Sequence, residues 1–246
     1  MLSKPNKADL RRGSEKLLSS LRTALIYLIK RIREQTQKFL ARFENPVFPS
    51  ASYRYLARKI ALDMNTSETG NSIVFSSASD MTKSSEVLLM FSHFLQDELS
   101  SSVLIIDATF RNNGLTRLLG LEDRPGIIDV LVPGDSSTPD FESVTHQLNG
   151  NVSFISAGVA QQRRVPYVSE EQVQTFIDKF KAEYDYVILQ QDDIQIDTRY
   201  LPYAKSADLV LLHLEERTTA IESFDQKMEI FANHNITNVK HILSED

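Results

Sequence analysis

Val103-Leu104-Ile105-Ile106-Asp107-Ala108-Thr109-Phe110-Arg111-Asn112-Asn113-Gly114-Leu115-Thr116-Arg117-Leu118-Leu119-Gly120-Leu121 opens on four consecutive aliphatic residues and turns polar at Asp107. So short a continuous apolar run reads as a strand covered on both faces, with a loop and a short helix after it. The same alternation recurs outward in both directions. Upstream, the apolar run 73–75 precedes a helical pattern over 84–98; downstream, 152–155 precedes one over 170–183. Further strands are expected at 186–189, 209–214 and 239–243, with a helix around 224–233. Apolar strands separated by amphipathic helices predict an α/β fold, a parallel β-sheet flanked by helices on both faces. In such sheets ligands bind beyond the carboxyl ends of the strands.

The 246-residue chain is long enough for one sizeable core with an N-terminal appendage. Its longest uninterrupted apolar run, residues 24–29, falls far short of the roughly 20 residues a membrane span requires. The sequence opens without an apolar segment leading to a small-residue cleavage site and has no cysteine. Neither a secretory signal nor a disulfide framework is expected, and the expected compartment is the cytoplasm. The net charge of −6 hides an asymmetry: residues 1–60 carry 14 Lys/Arg against 4 Asp/Glu, residues 61–246 carry 13 against 29. The acidic body argues against nucleic-acid binding, which needs a basic stripe to neutralise phosphates.

Residues 17–43 place Leu18, Leu21, Leu25, Leu28 and Ile32 at helical spacing, with Arg22, Lys30, Arg31, Arg33, Lys38 and Arg42 between them. This predicts a basic amphipathic helix suited to an anionic membrane surface or a partner helix, or packed on its own domain. Asn45-Pro46 and Phe48-Pro49-Ser50 then interrupt the chain, because proline restricts the residue before it. The expected organisation is a basic helical extension and linker over 1–50 and an α/β domain over 51–246.

The first core strand runs into Ser76-Ser77-Ala78-Ser79-Asp80-Met81-Thr82-Lys83-Ser84-Ser85. This has the place and the Lys-Ser ending of a phosphate-binding loop that leads into a helix, but it contains no glycine. Such a loop wraps backbone N–H groups around phosphate oxygens, which needs dihedrals that glycine adopts cheaply. Thr82 adds a branched side chain where glycine normally precedes the lysine, and Asp80 brings negative charge where phosphate would sit. Taken alone, the stretch reads as an ordinary surface turn.

The stretch from Val103 continues through Arg124-Pro125-Gly126-Ile127-Ile128-Asp129-Val130-Leu131. Together they resemble the bacterial tyrosine kinases (BY-kinases) of capsule and exopolysaccharide synthesis, in which an apolar strand is followed by Asp-x-Asp-x-Arg, Leu-x-Gly-Leu and Pro-Gly-Leu-x-Asp-Val-Leu. Val152-Ser153-Phe154-Ile155-Ser156-Ala157-Gly158, Tyr184-Asp185-Tyr186-Val187-Ile188-Leu189 and Ala207-Asp208-Leu209-Val210-Leu211-Leu212 extend the resemblance in order, over roughly residues 52–243. It implies a P-loop NTPase-like fold of the wider MinD/ParA group, with nucleotide-binding positions at Lys83, Ser84, Ser85 and Asp107.

Departures fall where the resemblance places the chemistry. Asp107 matches the first aspartate of a second nucleotide motif, but Thr109 stands at the second. The magnesium-directing aspartate expected after the strand 186–189 is Gln190, a poor ligand for a hard cation. Phosphoryl transfer depends on positioning and on neutralising phosphate charge, so no catalytic residue and no metal ligand is assigned. The expected nucleotide site is vestigial and no cofactor is required, with residual ADP or ATP binding with magnesium left open. In the assembly helix implied by the resemblance, Glu-x-x-Arg-x-x-Arg, only Arg54 survives, with Arg58 one place late. The sequence stops at Leu243-Ser244-Glu245-Asp246 without a tyrosine cluster, so tail autophosphorylation is not expected.

Asp192, Asp193 and Asp197 could supply a displaced metal ligand, though acidic residues in a solvated loop are the plainer reading. His93, His146, His213, His234 and His241 show no metal-ligand spacing and are assigned no role; Arg163-Arg164 reads as a solvated charge pair. The expected function is that of a catalytically degenerate BY-kinase-like protein acting by interaction in polysaccharide synthesis and export. The resemblance implies the partner, the cytoplasmic tail of a membrane chain-length regulator or co-polymerase, which would place the protein at the inner membrane. Arg54, Arg22, Lys30, Arg31 and Arg33 are the candidate interaction residues. The alternatives are an active kinase or ATPase that uses Asp192 or Asp193, and a MinD/ParA-like positioning protein.

Overall fold

A computed structural model describes residues 50–64, 69–78, 81–111, 114–132, 139–159 and 167–244. In chain order the elements are α1 (Ser50–Met64), β1 (Asn71–Ser77), α2 (Met81–Leu99), β2 (Val103–Ala108), α3 (Gly114–Leu118), α4 (Ile127–Leu131), α5 (Phe141–Val144), β3 (Thr145–Asn149) and β4 (Val152–Ile155). They continue with α6 (Glu170–Lys181), β5 (Tyr186–Gln191), the 3-10 turn Thr198–Tyr200, α7 (Leu201–Ser206), β6 (Leu209–Glu215), α8 (Ile221–Asn233) and β7 (Val239–Ser244).

The strands form one sheet in the order β3-β4-β2-β5-β1-β6-β7. All neighbours run parallel except β3, which pairs antiparallel with β4 and carries a register shift between Gln147 and Asn149. The central strands are buried along their length: every residue of β2, β4 and β5 is buried, as expected of a parallel sheet covered on both faces. On one face Val74, Ile106, Leu189 and Val210 form a single cluster with Val173, Phe176, Ile177 and Phe180 of α6, Tyr203 of α7 and Phe231 of α8. On the other lies α2, whose Val87, Leu88, Phe91 and Leu95 are buried at helical spacing.

α6 shows why its sequence forms a helix where it does. Ser169 Oγ accepts from the Gln172 N–H at 3.2 Å while the Ser169 N–H donates to Gln172 Oε1 at 3.0 Å, a reciprocal capping box. Glu170 and Glu171 occupy its first turn and Lys179 and Lys181 its last, each matched to the helix dipole.

Several elements depart from the expected pattern. β3 is a polar, half-exposed edge strand, Thr-His-Gln-Leu-Asn, with no apolar run to announce it. α7 has only six residues, with Pro202 in its first turn, too few to display a period. β5 runs two residues past its expected end, because Gln190 and Gln191 are polar yet fully inside the sheet. Apart from Ser50, the expected N-terminal extension lies outside the described residues.

Candidate functional site

Because the central strands are parallel, the last residues of β1, β2, β5 and β6 reach one edge of the sheet, where Ser77, Ala108, Gln191 and Glu215 stand. Lys83 and Ser84, in the first turn of α2, arrive at the same edge. Lys83 Nζ lies 3.5 Å from Glu215 Oε1; the glutamate side chain is 5% exposed and the lysine 29%. Ser84 Oγ lies 2.6 Å from Ser77 Oγ and 2.7 Å from His213 Nδ1. On the far side of that ring, His213 Nε2 is 2.9 Å from Ser244 Oγ of β7. Burial, and then the charge of Lys83, pull His213 down to about 4, so it is neutral at pH 7, with one ring nitrogen donating and the other accepting. The Ala78 N–H, first after β1, donates to the His213 carbonyl at 3.0 Å and thus prolongs the sheet. Asp80 lies outside the described residues, and of Thr82 only the helical backbone is described.

The carboxylate positions form a second, fully internal group. Asp107 is wholly buried and accepts from the Thr109 N–H at 2.9 Å, from the Thr109 hydroxyl, and from the Thr116 N–H at 2.6 Å. Burial pushes its carboxyl above the ordinary aspartate range, against the hydrogen bonds from Thr109 and Thr116 that hold it down. Thr109 Oγ1 in turn accepts from the Gly114 N–H at 2.5 Å, and the Gln190 amide donates to Ser85 Oγ at 2.8 Å. Gln190, Thr109 and Ser85 converge on Gly114: a β-carbon there would sit 3.0, 3.0 and 3.2 Å from their side-chain oxygens. The donor set is one amide, two hydroxyls and one buried carboxylate already holding three hydrogen bonds. It does not fit a magnesium–nucleotide complex, whose hard cation takes carboxylate, water and phosphate oxygens.

Asp192, Asp193 and Asp197 are not a solvated acidic loop. Asp192 and Asp197 are buried. Asp192 accepts from the Tyr200 hydroxyl at 2.5 Å and from the Arg111 N–H at 3.1 Å. Asp197 is held by Arg199 and Arg111 at 2.6 and 3.3 Å, and the hydrogen-bonded Arg199 guanidinium keeps its carboxyl below the ordinary range. Asp193 pairs at 2.8 Å with Lys227 of α8, whose fully buried ammonium also donates to the Ser77 carbonyl at 3.1 Å. Each carboxylate thus ties the segment after β5 to a neighbouring element. Among the described residues no group of three or more His, Asp or Glu side chains is arranged to hold a metal ion.

The segment that carries the sequence resemblance has a clear mechanical task. The Ile127 N–H donates to the Ser156 carbonyl at 2.8 Å and the Ile128 N–H to the Ala157 carbonyl at 3.2 Å, so Pro-Gly-Ile-Ile extends beside the end of β4. Asp129 Oδ2 accepts from the Gly126 and Val159 N–H groups at 2.8 and 3.2 Å. Gly158, at φ +102°, passes directly against Asp129 in a conformation that favours glycine. Arg54 and Arg58 of α1 both reach Glu98 of α2, and Arg54 lies over the Phe94 ring, so these arginines are engaged within the chain. Arg22, Lys30, Arg31, Arg33 and Arg163-Arg164 lie outside the described residues. His213, Glu215, Lys227 and Tyr200 belong to this edge although sequence reading assigned them no part; each follows or faces a strand end, which only the strand order reveals.

An α/β sheet of this order, with a Lys-Ser helix start after β1, defines a P-loop NTPase-like fold. The kinase domain of the Escherichia coli tyrosine kinase ETK superposes with a TM-score of 0.70 at 18% identity, over 84% of this chain and 79% of that one. The chimerical protein CapA2B2 gives 0.68 at 15%, over 84% and 89%. The MinC:MinD cell division protein complex of Aquifex aeolicus gives 0.57 at 20%, over 71% and 68%. Among curated proteins, the septum site-determining protein MinD of Synechocystis sp. is 33% identical over 91 residues. That match takes in 37% of this chain, and the chain spans about a third of that relative's length, 34%. No protein-family model matches the sequence. The chain therefore has the fold of bacterial tyrosine kinase domains, within the wider architecture they share with MinD.

Proposed function

We propose that this protein is a catalytically degenerate BY-kinase-like protein that acts by interaction in exopolysaccharide or capsule synthesis and export. The partner in this reading is the cytoplasmic tail of a membrane chain-length regulator or co-polymerase. The observation that carries it is the internal hydrogen-bonded group at the sheet edge, Asp107–Thr109–Gly114 beside Gln190–Ser85, which stands where a kinase of this fold needs carboxylates free to direct a metal. Without those charges and a glycine cradle, several kcal/mol of transition-state stabilisation are missing. No helix among the described residues is long and apolar enough to cross a membrane. In this reading, contact with the inner membrane comes through the partner and through the basic segment 17–43.

The experiment is calorimetric titration of the purified protein with ADP and ATP, with and without magnesium, beside a pull-down with the chain-length regulator of the same organism. Absence of nucleotide heat together with capture of the regulator supports the reading. Magnesium-dependent binding that Lys83→Ala abolishes, with turnover, refutes it. A second reading, a MinD-like positioning protein, draws support from the 33% identity to MinD over 91 residues; its mark would be nucleotide-dependent recruitment to lipid vesicles.

A further inference from the structure

We infer that Glu215 determines the ligand charge this site accepts: its carboxylate takes the place of a phosphate beside Lys83 and, with His213, holds the start of α2 against β6. The inference deepens the reading of a site closed to nucleotide and rests on it. His213 and Glu215, two residues apart in β6, both project from the sheet toward the first turn of α2. They engage the two consecutive side chains, Ser84 and Lys83, with which a phosphate-binding helix start would hold its anion and metal. Ser84 has one hydroxyl proton and two close partners, Ser77 and His213, so it donates to one and accepts from the other inside the protein. Lys83 faces a carboxylate that is 5% exposed.

A carboxylate so little hydrated gains its stabilisation from the neighbouring cation rather than from water. An incoming phosphate would have to displace it or share Lys83 with a second anion a few ångströms away, and like charges at that distance repel. The backbone secures the latch: the Glu215 N–H donates to Thr219 Oγ1 at 2.9 Å, and the Thr219 and Thr218 N–H groups return to the Glu215 carbonyl at 3.0 and 3.4 Å. This turn, with Arg217 at φ +64°, holds the end of β6 in place. Glu215 is thus not a mobile surface acid that swings away at low cost.

The test uses the full chain and inorganic pyrophosphate, read by calorimetry and by thermal shift. Glu215→Gln keeps the side chain's shape and removes its charge; it is expected to bind pyrophosphate on the order of tenfold or more tighter than wild type. Adding Lys83→Ala should abolish that gain. Glu215→Asp, which draws the carboxylate back by one methylene, should fall between the two and serves if the glutamine variant folds poorly. A folded Glu215→Gln with no gain, or a gain that survives Lys83→Ala, overturns the inference. The arms separate it from the functional reading: magnesium-dependent turnover of ATP by the wild type refutes that reading, whereas the ratio between Glu215→Gln and wild type judges the latch alone.

Discussion

Lys227 offers the most direct test of how this sheet edge is held. Its side chain is fully buried; its ammonium donates to Asp193 at 2.8 Å and to the Ser77 carbonyl at 3.1 Å, while Asp193 retains 24% exposure. Lys227→Met keeps most of the stem and removes the charge. Breaking a buried pair by removing one partner costs about 3–5 kcal/mol. Because Asp193 can rehydrate through its exposed side, we expect about 2–3 kcal/mol for Lys227→Met. At roughly 2–4 °C per kcal/mol for a domain of this size, the melting temperature should fall by about 4–12 °C. Asp193→Asn strands an ammonium with no route to water and should cost at least as much. The double variant should recover about 1–2 kcal/mol of the summed losses. Urea unfolding of the four proteins supplies the cycle. If Asp193→Asn is the milder change, or the two substitutions simply add, the ion pair is not what holds α8 to the segment after β5.

Three further outcomes follow from the same geometry. The folded His213 value of about 4 lies below the unfolded value of about 6.5. The unfolded chain therefore binds more protons between those values, so this contribution is complete above pH 6.5 and is lost as pH falls toward 4. In His213→Gln the fall in stability between pH 7 and pH 4 should be smaller than in wild type by about 3 kcal/mol, read from denaturant midpoints; equal slopes would count against a buried neutral imidazole. Asp107→Asn replaces an acceptor of three hydrogen bonds with a group that must present an N–H on one side. It should lower stability by about 1–3 kcal/mol in the absence of any nucleotide, and an unchanged midpoint would show the Thr109–Thr116 contacts to be dispensable. In Gly126→Ala the new methyl would overlap the Ser156 carbonyl oxygen and the Gly158 nitrogen; a loss of about 3 kcal/mol or more, or failure to accumulate folded protein, is expected, and near-wild-type stability would contradict the tight joint between α4 and β4.

Much of this protein is set by its sequence alone. The runs at 73–75, 103–106, 152–155, 186–189 and 209–214 could be read as buried parallel strands because both faces of each must be apolar, a pattern that leaves no competing period. The α6 helix could be placed from Val173, Phe176, Ile177 and Phe180, which repeat at helical spacing. Thr109 and Gln190 stood out as neutral residues because the resemblance to the BY-kinases implies aspartates at their places. What the sequence could not show is which strand ends become neighbours. β5 enters the sheet between β1 and β2, and β6 lands on the other side of β1. That order brings Gln190 to Ser85, Glu215 to Lys83 and His213 to Ser84, pairs separated by 105, 132 and 129 positions along the chain. It also turns Asp192 and Asp197 from apparent loop acids into buried anchors, because Tyr200, Arg111 and Arg199 meet them only after folding. Local pattern decides which segments become strands and helices, since periodicity is a property of neighbours in sequence. Which charge faces which is decided by long-range packing, and that is why the candidate site's components could be seen in the sequence but their closure could be seen only in the tertiary structure.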